Sequence, residues 1–302
     1  AQRTFAKAHD AAAEQYGEGE REHRVAYSAV KHSYEKVGDH WEPKDEYGPS
    51  DPQAARSGRA AREGRAGVQD AGSQLVALAL ARAAVDGRDE RWLDLCAGPG
   101  GKAALLGAVA HLRGDVLYCN EASEHRTDLV RRTLRALLDD GAEIYIGTGD
   151  GRDLGREEPG TYDRVLLDAP CTGLGALRRR PESRWRRTPA DLAELTGLQA
   201  ELLDAAVSVL APGGVLAYVT CSPHVAETVV QVQDLVRRHP ELELLDARTA
   251  LDTVALDDLR LDEAEPAGAP EPADVVARTA QLWPHRHGTD AMFLALLRAP
   301  GA

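Results

Sequence analysis

The chain has 302 residues, 43% of them hydrophobic, and 49 acids against 36 lysines and arginines give a formal net charge of -13. This length suits one large domain or two with a sizeable aliphatic core, while the acidic balance repels nucleic acid at long range, so any RNA binding must rest on a local basic patch. No run of 18 apolar residues, no secretory leader pattern and no CxxC pair among Cys96, Cys119, Cys171 and Cys221 argue against a membrane partner, a metal site and a disulfide framework, and read as a soluble, cytoplasmic chain with reduced thiols.

Two regimes follow one another. Residues 1–47 are polar with apolar residues at helical spacing in "AQRTFAKAHDAAAEQY" and "EREHRVAYSAVKHSYEKV", which predicts a small all-α segment. Residues 48–67 mix Gly, Pro, Ser and Arg without period, a linker signature. From 68 to 302 strands and helices alternate. "DAGSQLVALALARAAV" reads as a helix, "RWLDLC" as a strand, "GPGGKAALLGAVAHL" as a turn into a helix, "DVLYCN" as a strand and "SEHRTDLVRRTLRALL" as a helix. "AEIYIGTG" is a strand followed by a loop at "DGRDLG"; "YDRVLLDAP" is a strand, residues 188–210 a long helix and "GGVLAYVTC" a strand. "HVAETVVQVQDLVRRH" is a helix and "LELLDA" a strand; residues 250–280 read as an irregular acidic insertion, and "DAMFLALLRA" closes as a strand. The alternation predicts an α/β fold with a parallel sheet covered by helices on both faces, whose ligands bind at the carboxyl ends of the strands.

Asp94, Glu121, Asp150, Asp168 and Cys221 fall at or near those ends. In "LDLCAGPGGK", Gly98, Gly100 and Gly101 open a close backbone approach at a helix N-terminus. The run is neither GxGxxG nor a phosphate-binding P-loop. Glu121 ends the next strand, where an acid can hold ribose hydroxyls, and Asp150 after the third can accept from an adenine amino group. This set suits S-adenosylmethionine better than a dinucleotide; a tight turn with solvated acids is the plain alternative. Cys171, in "DAPCTGLG", and Cys221, in "AYVTCSP", end strands that can be neighbours, and with Asp168 they can share one cleft. Cysteine attacks as thiolate, so such a site needs a cationic or helix-terminal setting. Cys96 and Cys119 read as ordinary buried thiols.

"DAPCTGLGALRRRPESRWRR", "YVTCSP", "LDLCAGPGGK" and "GDGRDL" resemble the Sun/RsmB family of RNA cytosine-5 methyltransferases over about residues 64–300. The resemblance implies a Rossmann-like fold using S-adenosylmethionine, and catalysis in which a thiolate adds to carbon 6 of cytosine so that carbon 5 can take a methyl group. By the family pattern Cys221 attacks, Cys171 assists product release and Asp168 binds the ring edge of the base. Lys102 supports that cluster electrostatically, a solvated helix lysine being the alternative. The cofactor set expected is Cys96, Ala97, Gly98, Pro99, Gly100, Gly101, Lys102, Glu121, Arg126, Asp150 and Asp168. Arg178, Arg179, Arg180, Arg184, Arg186 and Arg187, with Trp185 among them, are expected to bind RNA through phosphate contacts and stacking, a solvated face being the plain alternative. Ribosomal RNA is the expected substrate; tRNA or another RNA, and a silent RNA-binding scaffold, are the alternatives. A nicotinamide-dependent oxidoreductase would leave both loop cysteines unexplained. The front segment, through "EREHRVAYSAVKHSYEKVGDHWEPK", resembles the ChaB family of small helical proteins. Arg24, Lys31, Lys36 and Trp41 could form a binding face there, although a solvated surface with one core tryptophan is the plainer reading.

Overall fold

A computed structural model describes residues 67–261 and 273–301, together with the backbone of 34–37 and 40–43. The chain divides into two compact units, Ala1–Gly67 and Val68–Ala302. In the first, Tyr34–Val37 (β1) and His40–Pro43 (β2) pair antiparallel. The helical reading of the front segment fails over this stretch. Gly38-Asp39, between the two runs, is a two-residue hairpin signal that overrides the apolar spacing. Arg24, Lys31 and the rest of the front segment and of the linker up to residue 66 lie outside the described residues, as do the side chains of Lys36 and Trp41.

The second unit opens with α1 (Ala71–Arg82), capped by Asp70, whose carboxylate accepts from Gly72 N–H. There follow β3 (Arg91–Asp94), α2 (Gly101–Arg113), β4 (Val116–Glu121), α3 (Glu124–Asp139) and β5 (Ile144–Thr148). Next come α4 (Gly151–Glu157), β6 (Tyr162–Asp168), a short α5 (Ser183–Arg186), α6 (Pro189–Val209) and β7 (Leu210–Thr220). The chain then runs through α7 (Val229–Arg238), β8 (Glu243–Leu245), α8 (Ala247–Val254), α9 (Ala273–Arg278), β9 (Ala280–Gln281), α10 (Pro284–His287) and β10 (Phe293–Arg298). Helix α6 starts with a reciprocal Thr188–Asp191 capping box and Pro189 in its first turn, which defines its start sharply.

The sheet order is β5-β4-β3-β6-β7-β10-β8, with β9 on β10. Strands β3 to β7 are mutually parallel. β10 runs antiparallel to both β7 and β8, with Phe293 opposite Thr220. The sheet is therefore mixed, which corrects the all-parallel expectation: β10 follows no crossover helix that would return it in the parallel sense. Successive residues of β6 alternate between two cores. Leu166 packs with Val76, Leu80, Leu106 and Leu134, on the side of α1, α2 and α3. Val165 and Leu167 pack with Leu202, Leu203, Val232 and Leu235, on the side of α6 and α7. That burial on both faces is why the run reads as uniformly apolar.

Two further readings are corrected. "DGRDLG" is helical, not a loop: Asp150 caps α4 by accepting from Arg152 N–H, and the glycines lie under α6. A Cβ at Gly151 would press on Leu202, and one at Gly155 on the Ala205 backbone. Residues read as loop punctuation are thus spacers for close helix packing. The stretch 250–280 is not irregular at its flanks, where α8 and α9 form and β9 begins; residues 262–272 lie outside the described residues. Chain direction diverges at β3, with β4 and β5 on one side and β6 and β7 on the other, and this opens a crevice at the strands' carboxyl ends.

Candidate active site

β3 ends at Asp94, and the chain crosses to α2 through a glycine-rich turn. Ala97 N–H donates to the Asn120 carbonyl at 2.9 Å. The Asn120 side chain in turn donates to the Leu95 and Gly149 carbonyls, each at 3.1 Å. Gly98 N–H donates to Glu121 Oε2 at 2.9 Å, and Arg126 Nη2 donates to the Gly98 carbonyl at 2.7 Å. A Cβ at Gly98 would fall on the Glu121 carboxylate. Gly100, at φ +106°, would push a Cβ into Thr133 and the Val130 backbone, so conformation and space both require glycine there. Gly101 has ordinary room, and the Gly98–Pro99 peptide is cis.

At the end of β6, Asp168 Oδ2 accepts from Lys102 Nζ at 2.7 Å, so Lys102 is no solvated helix lysine. Beyond them lie the two sulfurs: Cys171 Sγ and Cys221 Sγ are 3.4 Å apart, as free thiols in contact. The contact makes them unlike. The hydrogen bond with Cys171, aided by Lys102, holds the Cys221 thiol below its usual range against burial and the charges of Asp168 and Asp290. The same bond, burial and the charges of Cys221 and Glu227 push Cys171 well up. Burial, then the Asp94 charge, also pushes up the Cys96 and Cys119 thiols; Cys119 is buried in a core, while Cys96 is half-buried against the edge of the other.

Residues 83–298 match the family described as 16S rRNA methyltransferase RsmB/F. The chain belongs to that family. Residues 1–44 match the ChaB family. A Mycobacterium tuberculosis protein provisionally named a methyltransferase is 54% identical over 231 residues, 76% of this chain and 45% of that one. The ribosomal RNA small subunit methyltransferase B of Salmonella heidelberg is 40% identical over 186 residues, 60% of this chain and 41% of that one. The chain thus spans less than half the length of either relative. In fold it is similar to a methyltransferase homolog from Pyrococcus horikoshii, with a TM-score of 0.59 at 23% identity, covering 98% of this chain and 94% of that one.

S-adenosylmethionine is the cofactor of this RsmB/F-family chain, and the crevice fits a ligand bearing a cationic sulfonium and ammonium. Asp94 is 1% exposed, and neither carboxylate oxygen has a hydrogen-bond partner. Burial, reinforced by the Asp168 charge and opposed by Lys102, pushes its pKa up to about 8. A buried carboxylate left unsatisfied beside a glycine turn is suited to a cation. Glu121 is buried, braced by Gly98 and by Arg126 at 3.4 Å. Asp150 is more occupied: it caps α4 and pairs with Arg152 at 2.5 Å, and those hydrogen bonds hold its carboxyl below the usual range.

The arginine stretch divides. Arg178 pairs with Asp70 at 2.8 Å, and Arg179 pairs with buried Asp290, so both brace the cysteine loop against the start of α1 and the approach to β10. Arg187 Nε donates to the Thr172 carbonyl at 3.1 Å. Arg180, Arg184 and Arg186 are exposed, and Trp185 is 76% exposed with the Arg184 guanidinium 5.5 Å from its ring centroid. Among the described residues no ion pair engages these three arginines. Three residues that shape the site escape the sequence reading, Asn120, Gly175 and Glu227, and Asp94 stands there at a ligand-binding strand end without a role. Gly175 N–H donates to the Cys221 carbonyl at 2.9 Å, and a Cβ there would strike the Ala291 and Cys221 backbones, so this glycine ties the two cysteine loops together. Its place four residues after Cys171 in "CTGLG" is the only signal that could have singled it out.

Proposed function

We propose that the chain methylates carbon 5 of a cytosine in RNA, ribosomal RNA being the favoured substrate, through a transient bond between Cys221 Sγ and carbon 6 of the base. The observation that carries this reading is the 3.4 Å contact between two unlike thiols beside the Lys102–Asp168 pair. S-adenosylmethionine supplies an electrophilic methyl group; the turn of Gly98, Gly100 and Gly101, with Asp94 and Glu121, would hold it. Cys221, with its thiolate favoured, adds to carbon 6, and the ring electrons move toward carbon 5. Asp168 has one oxygen on Lys102, leaving Oδ1 to accept from a protonated nitrogen 3 and stabilise charge as the bond forms. After methyl transfer, solvent water takes the carbon 5 proton, the electrons of that bond re-form the double bond between carbons 5 and 6, and the bond from carbon 6 to sulfur breaks to expel the Cys221 thiolate. Cys171, a thiol of high proton affinity in contact with that sulfur, assists this release. The base must leave its stack to reach the crevice. A ribosomal substrate is supported by the matched family and by the name of the Salmonella relative.

The test is incubation with methyl-labelled S-adenosylmethionine and total bacterial RNA, followed by mapping of the labelled nucleotide. Label is expected at carbon 5 of cytosine, absent with Cys221→Ala although cofactor binding persists. Cys171→Ala is expected to accumulate a covalent protein–RNA adduct, seen as a slow band on a denaturing gel. Turnover by Cys221→Ala, or label on another atom, overturns the proposal.

A further inference from the structure

The methylation chemistry leaves one group beside the thiols unused. Glu227, in the short turn before α7, is 0% exposed, and its carboxylate is bound by four neutral donors. Oε1 accepts from Thr172 N–H at 2.8 Å and Gln199 Nε2 at 3.2 Å. Oε2 accepts from the Thr172 hydroxyl at 2.5 Å and the Ser222 hydroxyl at 2.6 Å. Bonds this short between a hydroxyl and an oxygen are those of a charged acceptor. Thr172 and Ser222 are the residues that directly follow Cys171 and Cys221. Gln199 reaches the other side of Cys171, donating to the Pro170 carbonyl at 2.8 Å, and Tyr218 fixes the Glu227 backbone by donating to its carbonyl at 2.8 Å. One buried carboxylate thus holds both cysteine loops, and its four partners supply no positive charge.

We propose that Glu227 is a positioning residue that holds the two sulfurs in contact and decides, through its charge, which of them becomes the nucleophile. The division is electrostatic. Lys102, paired with Asp168, favours a thiolate at Cys221. Asp168 and Asp290 oppose it. Glu227 is bonded to the residue that follows each cysteine, and its negative charge favours the protonated thiol at Cys171, opposed by a backbone N–H bond at Gly173. Cys171 then donates its proton toward Cys221 rather than the reverse. The two thiols would otherwise be near-equivalent neighbours, and a proton shared the wrong way would leave Cys221 unable to add to the base.

The proposal rests on the reading of Cys221 as nucleophile, but its test needs neither RNA nor cofactor. The full-length chain is given a single-hit dose of iodoacetamide from pH 5 to 10, and the label on Cys171 and Cys221 is read by peptide mass spectrometry. In the wild type Cys221 is expected to react at lower pH than Cys171. In Glu227→Gln the Cys171 profile moves to lower pH and the preference for Cys221 at neutral pH falls about tenfold. Glu227→Asp, which keeps the charge, restores the order of reaction. A folded Glu227→Gln that keeps the wild-type separation overturns the proposal, as does a Glu227→Asp that collapses it equally. Should Glu227→Gln fail to fold, Thr172→Val and Ser222→Ala carry the test. Each removes one bond from the carboxylate to a cysteine loop and should narrow the separation between the two profiles, and an unchanged wild-type separation in both overturns it. Methyl transfer is scored separately, so failure of the methylation reading and failure of this one are distinguishable.

Discussion

β6 carries charged residues next to its start and at its end, and the two ends use them in opposite ways. At the amino end, buried Asp163 accepts from Arg88 Nε at 3.1 Å and from the Glu90 and Arg91 N–H groups at 2.9 Å each. Arg164 beside it forks onto Asp89 at 2.7 and 2.8 Å and donates to the Leu80 carbonyl. Its guanidinium and that of Arg113 each lie 5.2 Å from the Trp92 ring centroid. Burial opposes ionisation of Asp89, yet the bonds from Arg164 and Arg113 hold its carboxyl below the usual range. At the carboxyl end, Asp94 has no partner, Asp168 has one oxygen on Lys102, and two thiols stand in contact. Similar residue types on neighbouring strands thus complete the fold at one end and keep binding capacity in reserve at the other. A site shows itself less by how many charges it gathers than by how many stay unsatisfied.

The largest effect that sharpens this contrast is expected at the amino end. Arg164→Met removes one partner from a buried charge network, which costs about 3 kcal/mol or more because Asp89 and the Leu80 carbonyl lose their donor. In a unit of this size that corresponds to a Tm fall of roughly 10 °C. Cofactor affinity of the folded fraction should not change. Calorimetry with and without S-adenosylmethionine separates the two readouts, and a weakened cofactor with unchanged Tm would erase the distinction between the ends.

The next effect is a pH dependence from Asp94. Its folded pKa, about 8, lies above the ordinary carboxyl value of 3.8, so between those values the folded chain keeps a proton that the unfolded chain has lost. The stabilisation is complete below the lower value and is lost as pH rises through the upper one, with a slope of at most about 1.4 kcal/mol per pH unit. Urea unfolding of the cofactor-free chain at pH 5.5, 7 and 8.5 should show this decline, and Asp94→Asn should flatten it. The same variant should bind S-adenosylmethionine about tenfold more weakly at pH 8.5, with a smaller loss at pH 6, where the wild-type carboxyl is also neutral. Equal losses at both pH values would show that the carboxylate charge plays no part in holding the cation.

How much of this was legible in the sequence follows the same division. Val165-Leu166-Leu167 announced a strand buried on both faces, and the glycine turn and the two loop cysteines stood at strand ends where a crevice had to open. Pairing across long sequence distance was not legible. Arg178 and Arg179 read as part of one basic run, but their partners, Asp70 and Asp290, lie 108 and 111 positions away. Asp94 stands at a strand end, but no sequence mark shows it buried without a hydrogen-bond partner, and Glu227 sits in "HVAETVV", where an acid at helical spacing reads as a solvated face. Whether such a residue is saturated or left open is a property of neighbours that only the fold supplies. The hairpin of β1 and β2 and the reversal of β10 were missed because turn chemistry and chain direction leave weaker marks than hydrophobic period.

The smallest effect concerns the exposed remainder of the arginine run. Trp185 packs in neither core and Arg184 lies over its ring, so Trp185→Ala should leave stability within about 0.5 kcal/mol of the wild type. A base stacked on the indole would contribute about 1–3 kcal/mol to single-stranded RNA binding, and that contribution is insensitive to salt. Arg184→Ala and Arg186→Ala act on phosphates instead: each should reduce the slope of log affinity against log salt by about 0.7. Fluorescence anisotropy with a labelled RNA, titrated at several salt concentrations, resolves the two signatures. Arg179→Ala gives the contrasting case, since its guanidinium is held by Asp290: it should lower Tm and leave the salt slope unchanged. If Arg179→Ala instead lowered the slope as Arg184→Ala does, arginines engaged in ion pairs would be binding phosphate as well, and the line between residues that hold the fold and residues left open for a ligand would not run through this loop.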